Sequence, residues 1–379
     1  MRRFLILAGV AVISFALGAA NERRKVERRA STSVPMAAAP TSATPQPRFA
    51  EEPLWAYGFD TPPKPGDAAQ PQAPPTRSLR ANEDTNEQTR PRQVTGSRAT
   101  YSLVDVRDGA NVIDWFPGDH PAMPPVVQHG PVSAGPLARG CAQCHLPNGK
   151  GRPENAPVAG LPAAYLFRQI QDFRNGLRHT ADPRKPNTPT MIKLAQAMTD
   201  EEGVAAAAYF SAIAYDTQWV RVIESAMVPR TKIVGNLFLP LERTMSEPIN
   251  GRIIEVPENE EQSELVRNPH SGFLAYVPPG SLAKGQDLAT TGGMRIVGQQ
   301  VIAGKTTACV TCHGVDLRGV ESVPPIAGRS PSYIARQLWD IQQGTRNGPG
   351  VQLMKSVIGS LTPDDIVSLA AYVASRPPK

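Results

Sequence analysis

Cys141-Ala142-Gln143-Cys144-His145 recurs as Cys309-Val310-Thr311-Cys312-His313, and the two copies use every cysteine of the 379-residue chain. Two thiols separated by two residues and followed at once by an imidazole form the attachment signal for a covalent haem c. Cys141 with Cys144, and Cys309 with Cys312, supply thioethers to the two vinyl groups of one haem each. His145 and His313, fixed one residue beyond, supply the proximal nitrogen to iron. Two copies imply two haems. A zinc site would have to join two distant pairs and leave both histidines without a role, and a thioredoxin-like pair needs no histidine there.

The flanks repeat along with the motifs, as duplicated units should. Pro157-Val158-Ala159-Gly160 matches Pro325-Ile326-Ala327-Gly328, Tyr165 matches Tyr333, and Arg168-Gln169-Ile170 matches Arg336-Gln337-Leu338. Asp172 and Gly176 match Asp340 and Gly344, all at an offset of 168. Past Arg178 and Arg346 the second copy is five residues shorter, and Ala207-Ala208-Tyr209 aligns with Ala370-Ala371-Tyr372 at an offset of 163. That offset pairs Met191 with Met354, whereas Met198 pairs with Leu361. A ligand needed at both irons should occur in both copies. Met191 and Met354 are therefore the predicted sixth ligands, and Met198 is predicted to pack under a helix. Methionine opposite histidine closes both axial positions and raises the reduction potential.

Helical signals surround both motifs. Thr199-Asp200-Glu201-Glu202 has the capping-box form, and Thr362-Pro363-Asp364-Asp365 sets a threonine cap before a first-turn proline. Apolar residues follow at helical spacing through Val204, Ala208 and Phe210, and through Ile366, Leu369, Ala370 and Val373. Middle helices are predicted near Leu161 to Asn175 and Ser330 to Gln343, with Tyr165, Ile170 and Phe173, and Tyr333, Leu338 and Ile341, as core and pocket wall. The fold class is mainly α: two tandem haem domains, a disordered N-terminal arm and a small β-like element between the domains.

The repeated residues resemble the class I cytochrome c family, and more narrowly its dihaem cytochrome c4 and c553-like group. The likeness rests on the CxxCH motifs, Pro-x-Ala-Gly, Tyr165 with Gln169, Tyr333 with Gln337, the methionine ahead of the last helix, and the closing Ala-Ala-Tyr. It covers roughly residues 137–215 and 280–376. It implies small helical domains that wrap haem with His and Met ligands and relay electrons in the bacterial periplasm. Two departures stand out. Asp119 to Ala138 holds five prolines where such a domain usually opens with a helix. In the second domain a helix from Ser281 to about Thr291 is followed by an insertion from Met294 to Lys305.

The segment between the domains contains Lys232-Ile233-Val234, Gly251 to Val256 and Phe273 to Val277, β-like runs bounded by Pro, Gly and Asn. They predict a small hairpin that packs on one domain or sets the distance between the haems. The acidic run Glu258 to Glu264 reads as a solvated turn.

Residues 1–20 read as a secretory signal, with Arg2-Arg3, an apolar run from Phe4 to Leu17, and small residues after it. Arg23, Arg24, Lys25, Arg28 and Arg29 follow at once, so a retained membrane anchor is the alternative to cleavage. Residues 21–97 are rich in Pro, Ala, Thr, Ser and Gln, and this composition predicts a disordered tether. Within it, Pro53 to Phe59 reads equally as a docking motif or as a local contact on the folded domain. The Asp114 to Pro121 stretch predicts a structured loop beside the first domain. The predicted division is thus 1–20, 21–97, a first domain over 98–215, an inter-domain segment over 216–279, and a second domain over 280–379.

The net charge of +6 misleads about partners, because residues 1–29 alone carry seven Arg or Lys against two Glu. The near-neutral remainder gives no support for nucleic-acid binding. Arg178 and Arg346, equivalent in the repeat, read as propionate partners or as surface arginines. Closed irons favour carriage of single electrons between redox protein partners over catalysis. The alternatives are a dihaem oxidoreductase, such as a peroxidase or sulfur-compound oxidoreductase with one open or differently ligated haem, and an electron-accepting subunit of a dehydrogenase complex. His120, His129, His179 and His270 are the alternative ligands, with His179 placed in the loop that the second copy lacks.

Overall fold

The computed structural model describes residues 52–69, 77–242 and 246–378, and these belong to one compact unit. The predicted signal or anchor, and the arm as far as residue 51, lie outside the described residues. The later part of the predicted tether does not behave as one. Helix α1 (Leu54–Tyr57) buries Trp55, Ala56 and Tyr57, and α2 (Thr85–Thr89) is capped by the Asp84 side chain. Arg92 then bridges Tyr101, ahead of α3 (Leu103–Val106). The composition of 52–97 is poor in apolar residues, but Trp55, Tyr57 and Val94 are buried. Of the two readings of Pro53 to Phe59, the structure has the local contact: the Tyr57 hydroxyl donates to Asp340 at 2.7 Å, and Arg336 donates to the Ala56 carbonyl.

In the first haem domain the proline-rich stretch gives only α4 (Pro125–Gln128) and a 3₁₀ turn over Val132–Leu137. Helix α5 (Cys141–His145) is the motif itself, followed by α6 (Ala163–Arg174), α7 (Asn187–Ala197) and α8 (Asp200–Ala212). Thr199 and Glu202 close the predicted capping box at the start of α8.

The inter-domain segment is richer than a hairpin. It contains β1 (Val220–Glu224), β2 (Met227–Pro229), β3 (Thr231–Val234), β4 (Leu237–Pro240), β5 (Ser246–Pro248), β6 (Ile254–Pro257) and β7 (Phe273–Val277). β7 is central in a three-stranded sheet, parallel to β1 and antiparallel to β6, while β2 pairs with β5 and β3 with β4. β1 is not legible in the sequence because its alternation, Val220-Arg221-Val222, is short and its partner lies some fifty residues away. The acidic run is also more than a solvated turn: Ser263 is buried and Glu264 pairs with Arg152 of the first domain at 2.6 Å.

The second domain follows the first with one substitution of parts. Its opening helix α9 (Ser281–Thr291) ends at Gly292, as predicted. The insertion is a hairpin of β8 (Arg295–Val297) and β9 (Gln300–Ile302), all exposed. Then come α10 (Val310–His313), α11 (Pro331–Gln342), α12 (Gln352–Ile358) and α13 (Pro363–Ser375). Helix α13 carries a second capping box, Thr362 with Asp365, and is buried from Asp365 to Ala374. It packs along α9 so closely that a Cβ on Gly285 would lie 2.0 Å from the Ser368 carbonyl oxygen. Only glycine permits that crossing.

Candidate haem sites

The two motifs are built by one set of backbone bonds. The Gly151 amide donates to the His145 carbonyl, and the Gly319 amide to that of His313, each at 2.8 Å. Val158 and Ala159 donate to the Gly149 carbonyl, as Ile326 and Ala327 donate to that of Leu317. Gly160 and Gly328, the glycines of the two Pro-x-Ala-Gly segments, have φ of 67° and 71° and donate to Phe210 and Val373 near the ends of α8 and α13. The left-handed backbone at that point lets each motif loop turn under its terminal helix.

This scaffold fixes the imidazoles. His145 Nδ1 lies 2.8 Å from the Ala156 carbonyl and His313 Nδ1 lies 2.9 Å from the Pro324 carbonyl, positions equivalent in the repeat. A carbonyl only accepts, so Nδ1 carries the proton and Nε2 keeps its lone pair for a metal. Burial holds both rings below the ordinary histidine pKa, which keeps them neutral and able to ligate. The first thiol of each motif is shifted the other way. Burial pushes Cys141 up to about 12 and Cys309 up to about 11, whereas a redox-active pair needs a lowered thiol. No group of three or more His, Cys, Asp or Glu side chains converges as a metal site among the described residues. The chemistry of both motifs therefore fits covalent haem.

Around the first motif a void of about 1310 Å³, part of it open to solvent, brings Cys141, Cys144, His145 and Met191 onto one wall system. Leu166, Ile170, Phe173 and Phe210 give it the apolar faces a flat macrocycle needs. Met198, assigned to packing, is buried and borders the same void. At the second motif His313 is buried, Cys309 and Met354 are half-buried, and Cys312 is exposed. Val315 and Leu353, close in sequence to His313 and Met354, are each 84 % exposed.

Of the alternative histidine ligands, His179 borders the first void. His129 is held by the Ala110 carbonyl and His120 by Asp114 and the Pro121 carbonyl, while His270 pairs with Asp119 at 2.6 Å and stacks on Phe116.

Arg178 and Arg346 are not surface arginines. Both are buried where the two domains meet. Beyond their equivalence in the repeat, no sequence signal marks this meeting. Arg329 adds a second link, donating from the second domain to the carbonyls of Pro157 and Ala159 in the first motif's loop.

The sequence model of the family described as Cytochrome c matches residues 136–213 and 297–377. The chain is similar to "Cytochrome c-554(548)" of Halomonas halodenitrificans, 33% identical over 73 residues, 19% of this chain and 88% of that protein. It is similar to "Cytochrome c4" of Pseudomonas aeruginosa, 22% identical over 62% of this chain and 82% of that protein. A protein of Stutzerimonas stutzeri described as "Thiosulfate dehydrogenase electron acceptor" is 26% identical over 64% of this chain and 81% of its own length.

Proposed function

Because the chain belongs to the cytochrome c family, as a dihaem member of the cytochrome c4 type with two covalent haem c groups, we propose that it accepts single electrons from a dehydrogenase and carries them onward. Bound haem supplies the one-electron couple. With haem bound, His145 and His313 would ligate the irons through Nε2, and Met191 and Met354 would supply the remaining ligands. The observation that carries this reading is the equivalence of the two imidazole anchors, Ala156 and Pro324, which gives both sites the same proximal geometry. A six-coordinate iron leaves no position for substrate, so the reading is carriage and not bond-making.

The donor is inferred from the thiosulfate dehydrogenase electron acceptor to which the chain is similar along most of its folded length. In this reading the partner is a thiosulfate-oxidising dehydrogenase that lies, with this chain, outside the cytoplasmic membrane. The Arg2-Arg3 and apolar leader delivers the chain there or tethers it.

The test is rapid mixing of the ferric holoprotein with a thiosulfate dehydrogenase and thiosulfate. Reduction of both haems that requires enzyme and substrate together supports the reading. Reduction by thiosulfate alone, or none with both present, removes the proposed donor. Persistence of the enzyme on the cytochrome through a salt wash would make it a subunit and not a free carrier.

A further inference from the structure

Lys185 is 2 % exposed, and it lies between Arg178 and Met191, where the first copy is five residues longer than the second. Its ammonium donates to the Tyr57 carbonyl at 3.2 Å, its one hydrogen bond among the described residues, and it forms no ion pair there. The nearby acids have other partners, although the buried Oε2 of Glu154 accepts no hydrogen bond. Glu154 pairs with Arg152 and Asp182 with Arg184, each at 2.6 Å, and Asp340 accepts from the Tyr57 hydroxyl and the Ala181 amide. Arg336, a cation close to Lys185, spends its guanidinium on the carbonyls of Ala56, Pro153 and Glu154. Burial, reinforced by Arg336, holds the Lys185 pKa well below the ordinary lysine value. A buried ammonium with donors to spare is disfavoured unless an anion meets it.

Lys185 borders the void that also carries Cys141, Cys144 and His145. A haem has its two vinyl groups on one edge and its two propionates on the opposite edge. Thioethers at Cys141 and Cys144 would fix the vinyl edge and send the carboxylates away from the cysteines into the void, which Lys185 lines together with Arg178, Arg336 and Tyr333. We infer that Lys185 anchors a propionate of the first haem and gives that haem a buried positive charge that the equivalent loop of the second copy does not supply. The corresponding stretch of the second copy, Asn347-Gly348-Pro349-Gly350-Val351-Gln352-Leu353, holds no charged residue.

The consequence is electrostatic. Reduction removes one positive charge from the iron, so a fixed cation beside the haem favours the reduced state. At an effective protein dielectric, one such charge shifts the redox equilibrium by about tenfold or more. Lys185 thus biases the shared electron toward the first haem. This rests on the dihaem carrier reading.

The test is a potentiometric titration of holoprotein for the wild type, Lys185→Gln and Lys185→Arg, with the far-red ligand band recorded alongside. The inference expects Gln to lower one of the two potentials and leave the other in place, and Arg to restore it. Unmoved potentials, or equal movement of both, would overturn it, as would a changed ligand band, which would make Lys185 an iron ligand. If Lys185→Gln does not mature, Lys185→Met keeps the packing of the stem and carries the same comparison. Two intact ligand bands with unmoved potentials would sink the role of Lys185 while leaving the carrier reading standing.

Discussion

Arg178 and Arg346 face each other across the two domains as an antiparallel bridge, and each guanidinium bonds to both interface glutamines and to the other domain's tyrosine. Arg178 donates to Gln169 at 3.0 Å, Gln337 at 2.8 Å and the Tyr333 hydroxyl at 3.3 Å. Arg346 donates to Gln337 at 3.1 Å, Gln169 at 2.9 Å and the Tyr165 hydroxyl at 2.8 Å. The duplicated sequence has closed on itself through a pseudo-twofold axis. Burial opposes ionisation of Tyr333, yet the two arginines hold its phenol below the ordinary tyrosine value.

Arg346→Ala should therefore destabilise the folded protein by about 3 kcal/mol, because it strips several buried acceptors of a charged donor at once. Arg178→Ala should cost a similar amount, and the double variant less than the sum. Denaturant unfolding of the four proteins in a mutant cycle measures the coupling, expected to be about 1–3 kcal/mol. Strict additivity would mean that the two arginines act independently.

Glu255 on β6 is 1 % exposed, accepts from the Ser330 hydroxyl and the Ser332 amide, and leaves Oε1 without a partner. Burial raises its pKa from 4.5 to about 7, against the pull of those hydrogen bonds. A raised folded-state pKa means that the native state binds a proton the unfolded state has lost, so stability is full below about pH 4.5 and falls as pH rises toward 7. The span amounts to a loss on the order of 3 kcal/mol. Glu255→Gln should flatten that part of the stability profile, as read by denaturant midpoints between pH 4.5 and 8; an unchanged slope would assign the dependence to another group.

Gly285→Ala sets a Cβ against the Ser368 carbonyl where α9 and α13 cross. Forcing those helices apart should cost about 2 kcal/mol or more. Gly118→Ala, with open space around it, is the control and should be near neutral. Equal midpoints for the two variants in thermal unfolding would contradict the close crossing.

The local parts of this fold were legible because duplication supplies its own alignment. Thr199 and Thr362 mark both terminal helices, and the fixed offset picks out Met191 and Met354 together without a structure. The parts that escaped depend on distant contacts. Lys185, Glu255 and Arg329 are polar residues whose burial comes from segments far away in the chain, and polarity alone reads as exposure. The boundary at residue 97 falls too late for the converse reason: Trp55, Tyr57 and Val94 sit in a polar, proline-rich stretch, and their burial depends on pockets that composition does not reveal.

The central claim, two closed His/Met irons, is tested most directly by the far-red spectrum of the ferric holoprotein beside Met191→Ala and Met354→Ala. The account predicts a sulfur-to-iron charge-transfer band at two-haem intensity in the wild type, with each substitution removing about half. A wild-type band at one-haem intensity, or no band, would contradict it and reopen the case for a dihaem enzyme with an accessible iron.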